Sequence, residues 1–345
     1  MLKTIRRAAV TLVVVSVWPV SALAQGLESL GNRAAALAAF VAVADDASAV
    51  AWNPSGLVSG PIFNITFGVG RITDQPADPP GTDARSGRVG ATLVAVGATP
   101  VGLAFYRIAT VSAGIPNPAV LGSPDRENGQ AFVRTLVTSH FGATVQQSVG
   151  DYLTLGATLK LVRGSVNRAA VAGDSWDEVF DAAERFERRG TTRGDLDIGA
   201  MLAAGRVRAG VVVRNVTTPT FNDDPNGGGG ASDAMTLPRH ARVGVAWADR
   251  WPGTSRLIVS VDADITRVPH PAGDRRDVAA GVERWLRAQQ VGLRAGVRAS
   301  TVGEGRPVVT AGGSFAVRPG AFVDAYVARG TRDDRGWGLA ARVSY

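Results

Sequence analysis

The sequence contains no cysteine and only three histidines, His140, His240 and His270. The first absence excludes disulfides, thiolate metal ligands and thiol nucleophiles. The second leaves acid–base chemistry little footing. Ser139 adjoins His140, so on a strand the two side chains point to opposite faces, which spoils a nucleophile–base pair. Neither a Gly-x-Ser-x-Gly elbow nor a His-Glu-x-x-His motif is present. The Gly227–Gly230 run lacks the ending of a phosphate loop, and Asp223, Asp224 and Asn226 beside it make only a faint calcium signal. No catalytic residue, metal ligand or cofactor is therefore assigned, and the sequence does not read as an enzyme.

Long apolar runs are missing as well. The stretch Ala8–Val17 is too short to span a bilayer as a helix, and beyond it the longest purely apolar run is Ala34–Ala44. Aromatic residues make up only 6% of the chain. Basic residues exceed acidic ones by seven, but three of the basic ones, Lys3, Arg6 and Arg7, lie in the first 24 residues. The remainder are nearly all Arg and are scattered, so the sequence carries no nucleic-acid footprint.

The amino terminus places those three basic residues before the apolar run and then Ala22-Leu23-Ala24 before Gln25. That is the order of a secretory signal peptide, and residues 1–24 are expected to be removed. An exported chain without disulfides or spanning helices has one other way to cross a membrane, the closed β-barrel.

Period-two alternation supports a barrel. Segment 206–214 puts Val207, Ala209, Val211 and Val213 on one face and Arg206, Arg208, Gly210, Val212 and Arg214 on the other. Segment 256–266 sets Leu257, Val259, Val261, Ala263 and Ile265 against Arg256, Ser260, Asp262, Asp264 and Thr266. Segments 291–300 and 153–161 behave alike. An Arg, Asp or Gly at every second position cannot line a dry sandwich core but suits a barrel lumen. Fourteen such strands are expected, near 62–70, 88–96, 101–111, 131–146, 152–163, 195–204, 206–216, 239–248, 255–266, 276–287, 290–300, 307–317, 320–329 and 336–345. Long connections rich in Pro, Gly, Asp and Asn alternate with short ones, the barrel signature. The last strand puts Trp337, Leu339, Ala341, Val343 and Tyr345 on one face. Trp247, Trp285, Trp337 and Tyr345 fall near strand ends, where an interfacial girdle would lie. The fold class is thus an all-β membrane protein: an antiparallel transmembrane β-barrel of about fourteen strands with an N-terminal hatch, or plug. The expected division is 1–24 signal peptide, 25–60 hatch and 61–345 barrel, in the bacterial outer membrane.

Residues 26–60 do not alternate. A small-residue run, Ala34 to Phe40, leads to Asp45 and Asp46 and then to the turn Asn53-Pro54-Ser55-Gly56. This stretch resembles the hatch of FadL-type outer-membrane transporters and their PorV-like relatives, with Ser55 where the family usually has Ala. The run Gly210–Asn215, Leu237-Pro238-Arg239 and the closing strand are also similar to that family. The resemblance implies a fourteen-stranded barrel with an internal amino-terminal plug. Physically, small residues permit close packing in a narrow lumen, Asp45 and Asp46 can meet lumen arginines, Pro54 holds a turn and Gly56 supplies permissive dihedrals.

Two further groups stand out. Residues 175–189 read as a capped helix with Trp176, Val179, Phe180, Ala183 and Phe186 on one face, placed to cover the barrel mouth, to gather apolar substrate or simply to pack on neighbouring loops. Lys160, Asp195, Asp197, Arg208, Asp262, Asp264, Glu283, Arg294, Arg298, Asp324 and Arg342 form a charged lumen set of both signs. Such a set makes either a selectivity strip or a neutralising network around the plug. The expected function is admission of small, mainly hydrophobic molecules through a plugged barrel. The alternative is a PorV-like scaffold that binds secreted or envelope proteins and moves no solute. The expected partners are outer-membrane lipid, the barrel assembly machinery and either hydrophobic small molecules or a secreted protein.

Overall fold

The computed structural model describes residues 27–74, 85–114, 130–172, 176–184, 190–222, 234–250, 257–269, 274–287, 289–303, 305–331 and 334–345. The expected signal peptide, Phe186, His270 and the Asp223–Gly230 stretch lie outside them.

Fourteen antiparallel strands close on themselves. They are β1 (Phe63–Asp74), β2 (Arg85–Ala98), β3 (Val101–Gly114), β4 (Gln130–Val149), β5 (Leu153–Ala172), β6 (Thr191–Ala204) and β7 (Val207–Arg214), then β10 (His240–Ala248), β11 (Leu257–Asp264), β12 (Asp277–Leu286), β13 (Val291–Ser300), β14 (Val308–Arg318), β15 (Ala321–Gly330) and β16 (Arg335–Ser344). Between β7 and β10, β8 (Thr220–Phe221) and β9 (Met235–Thr236) pair as a small ribbon apart from the barrel. Closure is made by β1 against β16, with Phe67 opposite Ala341 and Val69 opposite Leu339. Every expected strand is present. The main difference is length, since β5 runs on to Ala172 where the sequence suggested a connection.

Alternation sorts the residues by face. On β3, Leu103 and Phe105 are exposed while Ala104, Tyr106 and Ile108 are buried. On β11, Val259 and Val261 are exposed and Ser260 and Asp262 buried. Apolar residues pointing away from the barrel meet lipid, and the backbone between them is satisfied strand to strand. Short turns such as Gly205-Arg206 join strands at one end and long connections join them at the other, which makes the second end the outer one.

Trp247 and Trp337 face outward as a girdle requires, but Trp285 does not. It shares its face with Glu283, to which its Nε1 donates at 3.0 Å, and its ring packs edge-on to Phe322. Parity, not position along the strand, decides this, and two residues from Glu283 is the inner face.

Lipid-facing Val211 and Val259 make the alternation testable. Val211→Arg or Val259→Arg should lower folding stability by ~2–4 kcal/mol near the midplane, measured by reversible urea unfolding in bilayers. Unchanged unfolding midpoints would show that the outward face has been assigned wrongly.

Candidate functional site in the barrel lumen

Between Leu27 and Gly60 the chain runs inside the barrel. It forms a 3-10 turn (Leu27–Ser29), helix α1 (Asn32–Leu37), helix α2 (Ala49–Trp52) and a 3-10 helix (Pro54–Ser59) that leads into β1. Its residues from Ser29 to Ala44 are all buried. Such short, irregular pieces leave many backbone groups unpaired, and the inner wall satisfies several of them. Thr310 Oγ1 donates to the Ala36 carbonyl at 2.7 Å and Ser260 Oγ to that of Ala39 at 2.9 Å. Asp262 accepts from the amides of Phe40 (2.7 Å) and Val41 (3.0 Å). Gln146 accepts from the Val58 amide at 3.0 Å.

Glycine on the inner wall marks where this backbone passes. A Cβ on Gly281 would lie 2.1 Å from the Leu37 carbonyl oxygen, and one on Gly296 would lie 2.4 Å from it. The same atom on Gly156 would meet Pro54 at 2.4 Å. Glycine therefore does more on this face than keep a lumen open. Gly56 has a similar reason: its Cβ would fall 1.7 Å from the Ala44 carbonyl oxygen. Close approach, rather than the dihedral freedom suggested by the turn motif, is what requires glycine there.

The Asn53-Pro54 turn is held from within. Asn53 Nδ2 donates to the Val41 carbonyl at 2.9 Å, and its Oδ1 accepts from Ser55 Oγ at 2.7 Å. The serine that departs from the FadL pattern thus adds a bond to the turn. Trp52 Nε1 donates to the Leu30 carbonyl at 2.8 Å, with the Arg214 guanidinium 5.2 Å from its ring centre.

The acidic pair has a partner that lies nearer than the wall. Asp45 and Asp46 form ion pairs with Arg33, inside the same segment, and the Asp45 charge also acts on the lumen arginine Arg208 of the wall. Arg33 then reaches the wall, where its Nε lies 2.8 Å from Glu283, and Glu283 also pairs with Arg294 at 2.5 Å. Arg294 and Arg342 approach Asp324 at 3.6 and 3.3 Å. Burial lowers the Arg33 pKa, but Asp45, Glu283 and Asp46 together outweigh it and hold the group well above its ordinary value. One local signal pointed to Arg33, a lone charge at the head of an alanine run; its wall partner lies 250 residues away.

The other charged residues fall into separate groups. Lys160 lies 2.9 Å from Asp195, 2.7 Å from Asp197 and 3.1 Å from Asn215 Oδ1. Asp264 binds His240 at 2.8 Å and Arg242 at 2.5 Å. Glu28 sits nearby at the outer end: burial raises its pKa, but Arg298 and Arg242 hold it below the usual carboxylate value. Arg208 is buried on the inner face of β7. The charges thus concentrate where they meet each other or the inner segment. Much of the inner face of β2–β5 is instead apolar, with Val89, Leu93, Tyr106 and Ile108 low down and Leu136, Val162 and Val166 above, packed with Phe221, Met235 and Leu237.

Helix α3 (Trp176–Glu184) is not over the mouth. Val179, Phe180 and Ala183 pack on Val111, Ala113, Val133 and Val171, which have the parity of the outward-facing Leu103, Phe141 and Leu161. Arg88 fixes the helix through Asp177 and Asp181, the latter at 2.6 Å, with its guanidinium 4.8 Å from the Phe180 ring. The helix braces the outside of the wall above the lipid-facing belt. The Trp176 side chain is not among those described.

Residues 91–264, just over half of the chain, match a single family model. The chain belongs to the family described as F plasmid transfer operon, TraF, protein. No curated protein matches it. In fold, this TraF-family barrel is similar to the toluene transporter TbuX of Ralstonia pickettii, with a TM-score of 0.61 at 14% identity over 93% of this chain and 99% of that one. It is also similar to the monoaromatic hydrocarbon channel CymD, with a TM-score of 0.58 at 14% identity over 93% and 99%. The Pseudomonas putida toluene transporter TodX gives 0.53 at 12% identity over 86% and 92%. At these identities the likeness establishes the fold, a FadL-type barrel.

The Glu283 junction should hold the inner segment to the wall. Glu283→Ala leaves Arg33 and Arg294 buried without their shared carboxylate and should cost about 3–5 kcal/mol in reversible unfolding, with protease cleavage appearing within residues 30–57. A loss near zero with no new cleavage would remove this junction from the account.

Proposed function

We propose that this barrel resides in the outer membrane and admits small, mainly hydrophobic molecules, with the Leu27–Gly60 segment as its hatch. The observation that carries the reading is the divided interior. One side, β10–β16, is charged and meets the hatch, while apolar side chains cover the inner face of β2 and β3 and the outer stretch of β4 and β5, with His140 and the paired Lys160 between them. A lumen filled by a hatch whose charges are already paired offers a polar solute no wide aqueous path, whereas the apolar stretches give a hydrophobic molecule favourable contact where it displaces hatch residues such as Val50 and Leu57. The hydrocarbon channels and transporters that share the fold support the same reading. Nothing among the described residues of the lumen or in these similar structures favours the protein-docking alternative.

The charged groups act in this reading as a brace. Buried pairs contribute little net stability but fix one arrangement, because any displacement strands a charge. A hatch held in this way opens along the apolar side, where only dispersion and burial resist motion.

Reconstituted vesicles test the proposal. The full-length protein should speed entry of a monoaromatic probe such as toluene while passing no small hydrophilic solute. Deleting residues 27–57 should leave a folded barrel, because backbone pairing lies between strands, and that barrel should conduct ions in planar bilayers. Toluene entry no faster than in protein-free vesicles would overturn the transport reading. A folded truncated barrel that conducts no more than the full-length one would show that the segment is not the plug.

A further inference from the structure

The outward surface carries one feature that transport through the lumen does not use. Across five adjacent strands a single row of outward-pointing residues reads Thr92, Arg107, Ser139, Arg163, Thr192, each directly opposite the next in the pairing register. The row one step nearer the short-turn end reads Val94, Phe105, Phe141, Leu161, Gly194. The row beyond it, Gly90, Ala109, Val137 and Ser165, has its last three members buried, so the hydrogen-bonding side chains form a single band at the outer side of the exposed apolar belt.

Arg107 and Arg163 are both exposed, and among the described residues neither makes an ion pair. They flank Ser139 with one strand between them, so their Cα atoms lie about 10 Å apart, two inter-strand spacings. Guanidinium arms of that reach converge on one tetrahedral anion above the serine, each offering paired N–H donors, with hydroxyls at either side. Immediately below is a cavity of about 500 Å³ lined by Phe141, Ala143, Leu159, Leu161, Gly194 and Leu196, among others. These six share the outward parity, so the cavity's apolar side faces the membrane, and the other three lining residues, Lys160, Asp195 and Thr217, form a hydrogen-bonded cluster behind it.

We propose that this arginine row and the groove beneath it seat a phosphate-bearing acyl lipid of the outer leaflet. The phosphate lies between Arg107 and Arg163 and an acyl chain lies along Phe141, Leu159 and Leu161. The charge complementarity is of one sign, two unpaired cations and three hydroxyls with no carboxylate in the row. The depth also fits, since a lipid presents its phosphate where its chains begin, and on these strands the exposed apolar surface stops at that same step. An unpaired arginine at the edge of hydrocarbon is costly unless an anion meets it.

The test is native mass spectrometry of the full mature protein in detergent, titrated with dioleoyl phosphatidate, with dioleoylglycerol and with inorganic phosphate. One phosphatidate should bind per barrel, at least about tenfold more tightly than the neutral diacylglycerol, and millimolar phosphate should not displace it. Arg107→Gln with Arg163→Gln should abolish that preference while the unboiled protein keeps its folded migration on gels. Arg284→Gln with Arg318→Gln, which removes two exposed arginines near the short-turn end, should change binding less than twofold. Equal affinity for diacylglycerol would reduce the site to a greasy surface, and displacement by phosphate would assign the arginines to a free anion. Either result in the wild-type protein overturns the proposal whatever the variants do, and so does an unchanged preference in the folded double variant.

Discussion

Hydrocarbon offers a peptide group nothing to bond with, and the molecule is organised around that fact. Each spanning N–H and C=O has to find another strand, so the sheet has no permissible edge and β1 must meet β16. Once the ring is closed, the pleat leaves only two kinds of position. Outward positions must be apolar wherever lipid reaches. Inward positions are released from that demand and take up whatever the inner segment needs: glycine where backbone passes close, a hydroxyl or carboxylate where a peptide group lacks a partner, a charge where Arg33 arrives. The inner segment is irregular because the wall around it, and not its own hydrogen bonding, completes it.

This division explains what could be read from the amino-acid order. The fourteen strands were legible because period two persists wherever one face meets lipid and the other does not. It fails where both faces are covered. The stretch Gly164–Ala172 reads as a connection because Val166 is buried inward against Phe221 and Met235 while Val171 is buried outward against helix α3, so apolar and polar residues no longer take turns. Within the lumen, the Asn53-Pro54 turn was legible as a motif, but the reason for Gly56 was not, since a carbonyl at Ala44 has to be in place before the glycine makes sense. The acidic pair was visible, but its nearest partner, Arg33, was not. Arg33 lies close to Asp45 in sequence yet belongs equally to Glu283, and nothing local announces a bond spanning 250 residues.

The helix in the β5–β6 connection teaches a related lesson. An apolar stripe on a helix in an outer connection invites a lid, yet Arg88 draws it to the outside of the wall through Asp177 and Asp181. The stripe told correctly which residues would be buried and nothing about which side of the sheet would bury them. Side is set by the parity of Arg88, Val111 and Val133, which is a property of the strands.

The unequal strands give the molecule a direction across its mouth. β4 and β5 have 20 residues each, whereas β7 and β11 have eight. At about 3.3 Å per residue the wall on one flank stands far taller than on the other, and the rim slopes. On the inner side of the tall flank, Leu136, Val162 and Val166 are covered by Phe221, Met235 and Leu237 from the connection between β7 and β10. The tall flank thus works as a buttress, on which the chain leaving the low flank leans as it crosses the opening.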